Sequence, residues 1–114
     1  MNKIITLLLI SIIIITFCNI KEGYVFISVT DKNGMPLKDT IIKLMDNNNN
    51  NNIIAEMKTK TSGSAHFENI INNDYTLIVI PKENKYSKKE MKITKKDLKD
   101  NNPLSLEIEL ELAQ

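Results

Sequence analysis

Beyond Glu22, apolar and polar residues alternate with a period of two along much of the chain. The clearest run lies near the end, where Ser and Glu separate five apolar positions: Leu104, Leu106, Ile108, Leu110 and Leu112. A helix would need apolar residues at every third or fourth position to form one apolar face, so this run predicts a strand from Leu104 to Leu112. Its glutamates are predicted to face water, where they also discourage association of strand edges.

Six more strands follow from the same alternation. They are predicted over Gly23–Thr30, Thr40–Asp46, Ile53–Lys60, a short run with Ala65 and Phe67, a run with Tyr75, Leu77 and Val79, and Tyr86–Thr94. Residues that favour turns separate several of them, at Asp31-Lys32-Asn33-Gly34, Ser62-Gly63 and Asn72-Asn73-Asp74. The asparagine run Asn47–Asn52 is predicted as a solvated loop, and the charged stretch Lys95–Asn102 as a connection without a helix.

Seven short strands separated by turns are typical of an all-β sandwich with a single core. The side chains predicted to point inward are Val25, Ile27, Val29, Ile42, Leu44, Phe67, Tyr75, Leu77, Val79, Ile93, Leu106, Ile108 and Leu110.

The first 18 residues differ from the rest of the chain. One lysine, Lys3, precedes an uncharged run from Ile4 to Phe17, which has the length of a signal-peptide apolar region and is short for a permanent membrane span. We therefore predict a signal peptide or signal anchor over 1–18, a short linker over 19–22 and the sandwich domain over 23–114. This organisation predicts an exported protein that is periplasmic, on the cell surface or anchored to the membrane.

Cys18, at the end of the apolar run, is the candidate for lipidation. Acylation there would hold the domain against the membrane through a short tether. The preceding Ile15-Thr16-Phe17 departs from the usual lipoprotein pattern, because Phe17 is bulky where Gly or Ala is expected. Cleavage after Cys18, or no cleavage at all, are the alternatives, and the sequence leaves all three open.

Composition excludes several classes of function. All 15 basic residues are lysines, and removing residues 1–18 leaves 14 of them against 14 acids, so the remainder is formally neutral. A neutral chain without arginine is poorly suited to nucleic acid. Cys18 is the single cysteine, so no internal disulfide forms. His66 is the single histidine and is predicted to point outward, which leaves no expected cofactor, metal site or catalytic group.

Two motifs stand out once the strands are placed. The first is Gly23-x-Val25-x-Ile27-x-Val29-x-Asp31-x-x-Gly34-x-Pro36-Leu37, and the second is Thr59-x-x-x-Gly63-x-Ala65-x-Phe67-x-x-Ile70-x-x-x-x-Tyr75-x-Leu77-x-Val79. Together they resemble the prealbumin-like (transthyretin-like) modules, which include the carboxypeptidase regulatory-like domain and the B-type repeats of bacterial collagen adhesins. The chain departs from their pattern at Lys60, where Asp is usual, and at Asn73, where Gly is usual.

The resemblance implies a seven-stranded Greek-key sandwich and says little about function, because such folds host many activities. Adhesin-type repeats often carry a Lys–Asn isopeptide bond between the first and last strands. The predicted inward residues of the first strand here are apolar, and the last predicted strand contains no asparagine. We therefore expect no such crosslink.

We expect a non-catalytic, exported or envelope-associated module with a binding or structural role, whose partner is an envelope protein or a carbohydrate. The membrane is a further expected partner, through the N-terminal segment. Tyr24 and Phe26, on the outward side of the first strand, are the candidate partner contacts; the alternative is that Ile20, a loop or the second sheet covers them. A carrier of a small ligand or carbohydrate on a transthyretin-like assembly is the alternative function.

Overall fold

Seven strands and one short helix make up the part of the chain described by the structure, a computed structural model of residues 22–48 and 50–114. The elements are β1 Glu22–Thr30, β2 Ile41–Asp46, β3 Asn52–Lys58, β4 Ser64–Ile71, β5 Tyr75–Ile80, β6 Lys89–Ile93, α1 Lys95–Asp100 and β7 Leu104–Glu109. The predicted signal segment with Cys18, and also Ile20 and Lys21, lie outside the described residues. Cover of the aromatic pair by Ile20 therefore stays untested.

The strands form two sheets, with the orders β4-β1-β7 and β3-β2-β5-β6. In the first sheet β1 lies in the middle, antiparallel to β4 and parallel to β7. Four of the six successive strand pairs, such as β1 and β2 or β3 and β4, are split between the two sheets, whereas β2 with β3 and β5 with β6 are neighbours in one sheet. The chain therefore crosses repeatedly between the sheets, and the predicted seven-stranded, prealbumin-like β-sandwich is confirmed.

The core between the sheets is built from the alternate residues that the sequence predicts to point inward. Apart from Leu106, which is half-buried against the core, every one of those residues is buried. The set of residues predicted to point inward left out Ala65, Ile70, Leu98 and Leu104, which are also buried. Buried polar side chains among the described residues are threonines, Thr40, Thr59 and Thr76, and none of their side-chain atoms lacks a hydrogen-bond partner.

The last strand ends earlier than predicted, at Glu109, because the chain then crosses to the other sheet. The backbone N–H of Ser87 donates to the carbonyl of Glu111 at 2.9 Å, and that of Ala113 donates to Lys85 at 2.7 Å. Leu110 stays in the core, whereas Leu112 is 50% exposed and does not extend the inward row. This tail ties the two sheets together on the side of β6 and β7.

The prediction of no helix after the signal segment is wrong, because α1 covers Lys95–Asp100. Thr94 and Asp97 form a capping box: the Thr94 hydroxyl accepts from the Asp97 backbone at 3.1 Å, and the Asp97 carboxylate accepts from the Thr94 backbone at 3.0 Å. Hydrogen bonding of the Asp97 carboxylate to the backbone N–H of Thr94, and then to the Thr94 hydroxyl, holds the pKa of Asp97 below its usual value. Leu98 is buried and fixes the helix against the sandwich.

A close backbone contact fixes the turn before β4. The N–H of Val29 donates to the carbonyl of Gly63 at 2.8 Å, and the N–H of Gly63 donates to Lys60 at 2.8 Å. Gly63 has φ of +75°, and a Cβ at this position would lie 2.5 Å from the carbonyl oxygen of Val29. Only glycine fits there, since a side chain would push the turn away from β1.

Replacing Gly63 with alanine should therefore cost more stability than the same change at Gly34. Gly34 also has a positive φ, +80°, but no atom lies within 4 Å of its added Cβ. The Gly34→Ala change should cost about 1–2 kcal/mol for the backbone conformation alone, and Gly63→Ala should add about 1–3 kcal/mol for the steric overlap. Urea unfolding of the two variants measures the difference, and equal losses would refute the close contact.

Phe67 tests the assignment of the core. Its side chain is 4% exposed, and Phe67→Ala should lower the free energy of unfolding by about 3–5 kcal/mol. His66→Ala, on the outward side of the same strand, is the matched control and should cost less than about 1 kcal/mol. The readout is the urea midpoint of each variant. If Phe67→Ala unfolds together with the parent, the register of β4 is wrong.

Candidate functional site

The outer surface of the three-stranded sheet, which we call the aromatic–acidic face, brings together two exposed aromatic residues and three glutamates. Successive side chains of a strand point to opposite sides of the sheet, so the apolar inward set of β1 leaves the residues between them outside. The members of this face are Tyr24, Phe26, Ser28 and Thr30 of β1, Ser64, His66 and Glu68 of β4, and Ser105, Glu107 and Glu109 of β7.

Tyr24 and Phe26 lie side by side along the middle strand of this face. They are 41% and 45% exposed, so neither the second sheet nor any loop of the described residues covers them. The Phe26 ring is stacked on His66, with ring centroids 5.8 Å apart and planes 29° apart. This pairing gives a broad, flat aromatic surface on the outside of the sheet. Their contact with a partner stays a prediction.

His66 points outward as predicted, and its imidazole is tied to a carboxylate. Its Nε2 lies 3.2 Å from Oε1 of Glu68. The neighbouring Ser64 hydroxyl pairs with Ser62, at 2.7 Å between the two oxygens. A serine nucleophile would need its hydroxyl on the imidazole, and in this structure the Ser64 hydroxyl pairs with Ser62 instead.

Hydroxyl and carboxylate groups continue the face beyond the aromatic rings. Ser28 and Thr30 of β1 lie opposite Glu107 and Glu109 of β7. Together with Gly34 and Ile108 these residues border a shallow groove of about 390 Å³. The face therefore offers an apolar platform for stacking at one end and hydrogen-bond acceptors with negative charge at the other.

A bulge in β4 sets which residues reach this face, and the sequence analysis missed it. The pairing with β1 shifts between Gly23 and Val25, and Asn69 has φ of +57°. The extra residue returns Ile70 to the core while Glu68 stays outside beside His66. Asn69 itself was the available signal, because asparagine inside a strand pattern tolerates the left-handed conformation that a bulge can require.

The outer surface of the four-stranded sheet, which we call the lysine-rimmed face, is a second feature that the sequence analysis missed. Its centre holds half-buried apolar residues of β2 and β5 together with Lys43, and its edges hold charged residues of β3, of β6 and of the position just before β6. The members are Ile41, Lys43, Met45, Ile78 and Ile80 at the centre, and Glu56, Lys58, Lys88, Glu90 and Lys92 at the edges. The available signal was β5 itself, whose residues from Leu77 to Ile80 are all apolar, because successive side chains of a strand alternate between its two sides and half of these therefore point outward.

The turn after β1 is held by the carboxylate of Asp31. The Oδ1 atom of Asp31 accepts from the backbone N–H groups of Asn33 at 2.8 Å and Met35 at 3.0 Å. This is a turn held by its own side chain. Across residues 22–48 and 50–114, no three His, Cys, Asp or Glu side chains are grouped so that they could hold a metal ion.

Two further observations concern the family chemistry and the membrane. The inward positions of β1 and β7, where a Lys–Asn crosslink would need its partners, hold Val25, Ile27 and Val29 on one strand and Leu104, Leu106 and Ile108 on the other.

Within the described part of the chain, no helix has the length and apolar character needed to cross a membrane.

Comparison with known proteins gives structural relatives and no curated match. BcpA, the major pilin subunit of Bacillus cereus, has a TM-score of 0.63 and 20% identity, over 82% of this chain and 31% of that chain. The shaft pilin SpaA of Lactobacillus rhamnosus GG has a TM-score of 0.62 and 10% identity, over 82% of this chain and 47% of that chain. A minor pilin of Streptococcus agalactiae has a TM-score of 0.56 and 17% identity, over 81% of this chain and 45% of that chain.

At these identities the likeness concerns the fold, and the chain spans less than half the length of each of these three pilins. The family model described as SpaA: Prealbumin-like fold domain matches residues 23–111, which is most of the chain and nearly all of the described sandwich. The chain therefore belongs to the SpaA prealbumin-like fold domain family.

Proposed function

We propose that this protein is an exported, envelope-associated, non-catalytic module that binds a partner through the aromatic–acidic face. The observation that carries the proposal is the exposure of Tyr24 and Phe26, with Phe26 stacked on His66, on the outside of a sheet whose inner side is fully packed. Exposed aromatic side chains bury a large area on contact while few rotatable bonds are fixed, and interface hot spots are enriched in them.

The structural relatives support a non-catalytic role. These relatives are pilin subunits, and the chain shares their fold. The chain also belongs to a family of prealbumin-like domains. Pilin subunits assemble with other proteins, which favours a protein of the envelope as the partner, with a carbohydrate as the alternative class. The more specific resemblance to carboxypeptidase regulatory-like domains and collagen-adhesin B-type repeats remains part of this proposal.

The predicted signal segment over residues 1–18 supports export, and β1 begins four residues after Cys18, at Glu22. If Cys18 carries a lipid, the sandwich lies close to the membrane surface. A carrier of a small ligand or carbohydrate stays the alternative, and it would need a groove between assembled copies. On the single chain, the groove beside Leu37 and Tyr86, of about 290 Å³, is bordered by the charged residues Lys38, Asp39, Lys82 and Glu83. Such a lining is unlike the mostly apolar pockets that hold small ligands.

Removing the aromatic pair tests the binding face. The double change Tyr24→Ser with Phe26→Ser should abolish recovery of partners from the envelope fraction after crosslinking, because the stacking platform is lost, while the fold stays intact. The matched control is Met35→Ser with Leu112→Ser, which removes two other exposed apolar side chains, 61% and 50% exposed, and should leave recovery unchanged. Quantitative mass spectrometry of the recovered proteins is the readout. Equal recovery by the aromatic double variant and the parent would refute the face as the binding site.

The N-terminus of the exported chain distinguishes the three ways in which it is held in the envelope. Intact-mass spectrometry of membrane and soluble fractions should find Cys18 with an attached diacylglycerol if the chain is a lipoprotein. A free N-terminus at Asn19 would indicate a released protein, and an intact Met1 in the membrane fraction would indicate an uncleaved anchor. Full-length chain found only in the cytosol would contradict export itself.

A further inference from the structure

We propose that the aromatic–acidic face of one copy of this chain docks on the lysine-rimmed face of another copy. The contact is head-to-tail, because the two faces lie on opposite sides of the same sandwich. The inference rests on the proposed function, since it names a second copy of the chain as a partner of the same binding face.

The first of the two surfaces carries negative charge, and none of its own strand positions holds a lysine, although Lys88 and Lys89 border a groove with Glu109 at its edge. Among the outward positions of β1, β4 and β7, Glu68, Glu107 and Glu109 are all exposed. The other members are aromatic residues, hydroxyl residues and His66, which is already hydrogen-bonded to Glu68. Two copies of this surface would repel one another, so it selects against a symmetric contact with itself.

The second surface carries the opposite charge around an apolar centre. Four lysines, Lys43, Lys58, Lys88 and Lys92, stand against two glutamates, Glu56 and Glu90. Two of the lysines form long ion pairs with these glutamates, Lys43 to Glu56 at 3.6 Å and Lys88 to Glu90 at 3.8 Å. Lys58 and Lys92, near opposite corners of the face, have no ion-pair partner among the described residues.

The apolar parts of the two faces complement one another as the charges do. On β2 and β5, Ile41 lies opposite Ile80, and Ile78 lies opposite Lys43, with Met45 next along β2. These apolar side chains are all half-buried and make a strip along the middle of the lysine-rimmed face, which Lys43 interrupts on β2. Tyr24 and Phe26 likewise follow the middle strand of the other face. Stacking one sheet on another brings aromatic rings onto the isoleucine strip and carboxylates onto the lysine rim, the usual arrangement of an apolar centre with a polar border.

The contact is weak between two isolated copies. Three strands spaced about 4.8 Å apart, over the length from Tyr24 to Thr30, cover on the order of 300 Å² per copy. The two surfaces together therefore fall below the roughly 1,200 Å² of stable complexes. Export to one surface raises the effective concentration, however, and a head-to-tail contact that does not close on itself extends into a row of copies.

Charge reversal on one face at a time tests the proposal with the chain as the cell leaves it after export. The first variant, Glu107→Lys with Glu109→Lys, makes both faces basic, and the second, Lys58→Glu with Lys92→Glu, makes both faces acidic. Sedimentation velocity from micromolar to millimolar protein should show concentration-dependent association of the parent, which weakens as salt is added. Each variant alone should remain monomeric, and an equimolar mixture of the two should associate again, because each supplies the face that the other has lost.

Matched controls change the net charge by the same amount away from both faces: Glu83→Lys with Asp100→Lys, and Lys38→Glu with Lys96→Glu. These should associate as the parent does. All variants have the same N-terminal segment. Association through that segment would therefore be equal in every variant, and mixing the two charge-reversed variants would not increase it. A parent that stays monomeric at millimolar concentration, or variants that associate alone as the parent does, would overturn the proposal. The parent could also stay monomeric and recover a different envelope protein or a carbohydrate. If that recovery is lost when Tyr24 and Phe26 are replaced, self-docking is overturned and the proposed function stands.

Discussion

Strand β1 cannot shift by one residue without turning Val25, Ile27 and Val29 to solvent and Phe26 into the core. This constraint acts twice, because β1 is hydrogen-bonded on both sides, to β4 and to β7. The backbone contact between Val29 and Gly63 adds a third restraint at the far end of the strand. With β1 fixed, the inner sides of its two neighbours complete one half of the core, and their outer sides complete the aromatic–acidic face.

The sequence predicted the strands and the core because a period of two is a strong signal wherever one side of a strand is buried. It predicted the outward positions of Tyr24, Phe26 and His66 for the same reason. The register of β4 needed more than periodicity, since the bulge at Asn69 moves Ile70 into the core and leaves Glu68 outside. Such a bulge depends on the residues of β1 that pair with β4. The pattern of β4 alone carries no information about that pairing.

Two other differences have local and tertiary causes. Helix α1 is only six residues long, so its sequence shows no helical period, but the Thr94–Asp97 capping box was a readable signal of its start. The tail after Glu109 continues the alternation of β7 and yet leaves it, because Glu111 and Ala113 pair with the segment before β6. The apolar run of β5 was a readable signal of the lysine-rimmed face, but the arrangement of its charges appears only once β2, β3, β5 and β6 are placed side by side.

The parallel pairing of the first and last strands has a mechanical consequence. β1 and β7 run side by side in the same direction, in register from Val25 opposite Leu104 to Thr30 opposite Glu109. A pull between the start of β1 and the end of β7 acts along both strands, so the hydrogen bonds of this ladder are loaded in shear. Bonds loaded in shear share the force and must break together, whereas bonds at the end of a hairpin open one after another. Tension applied at the two ends of the sandwich therefore loads the β1–β7 ladder in the direction in which its hydrogen bonds resist together.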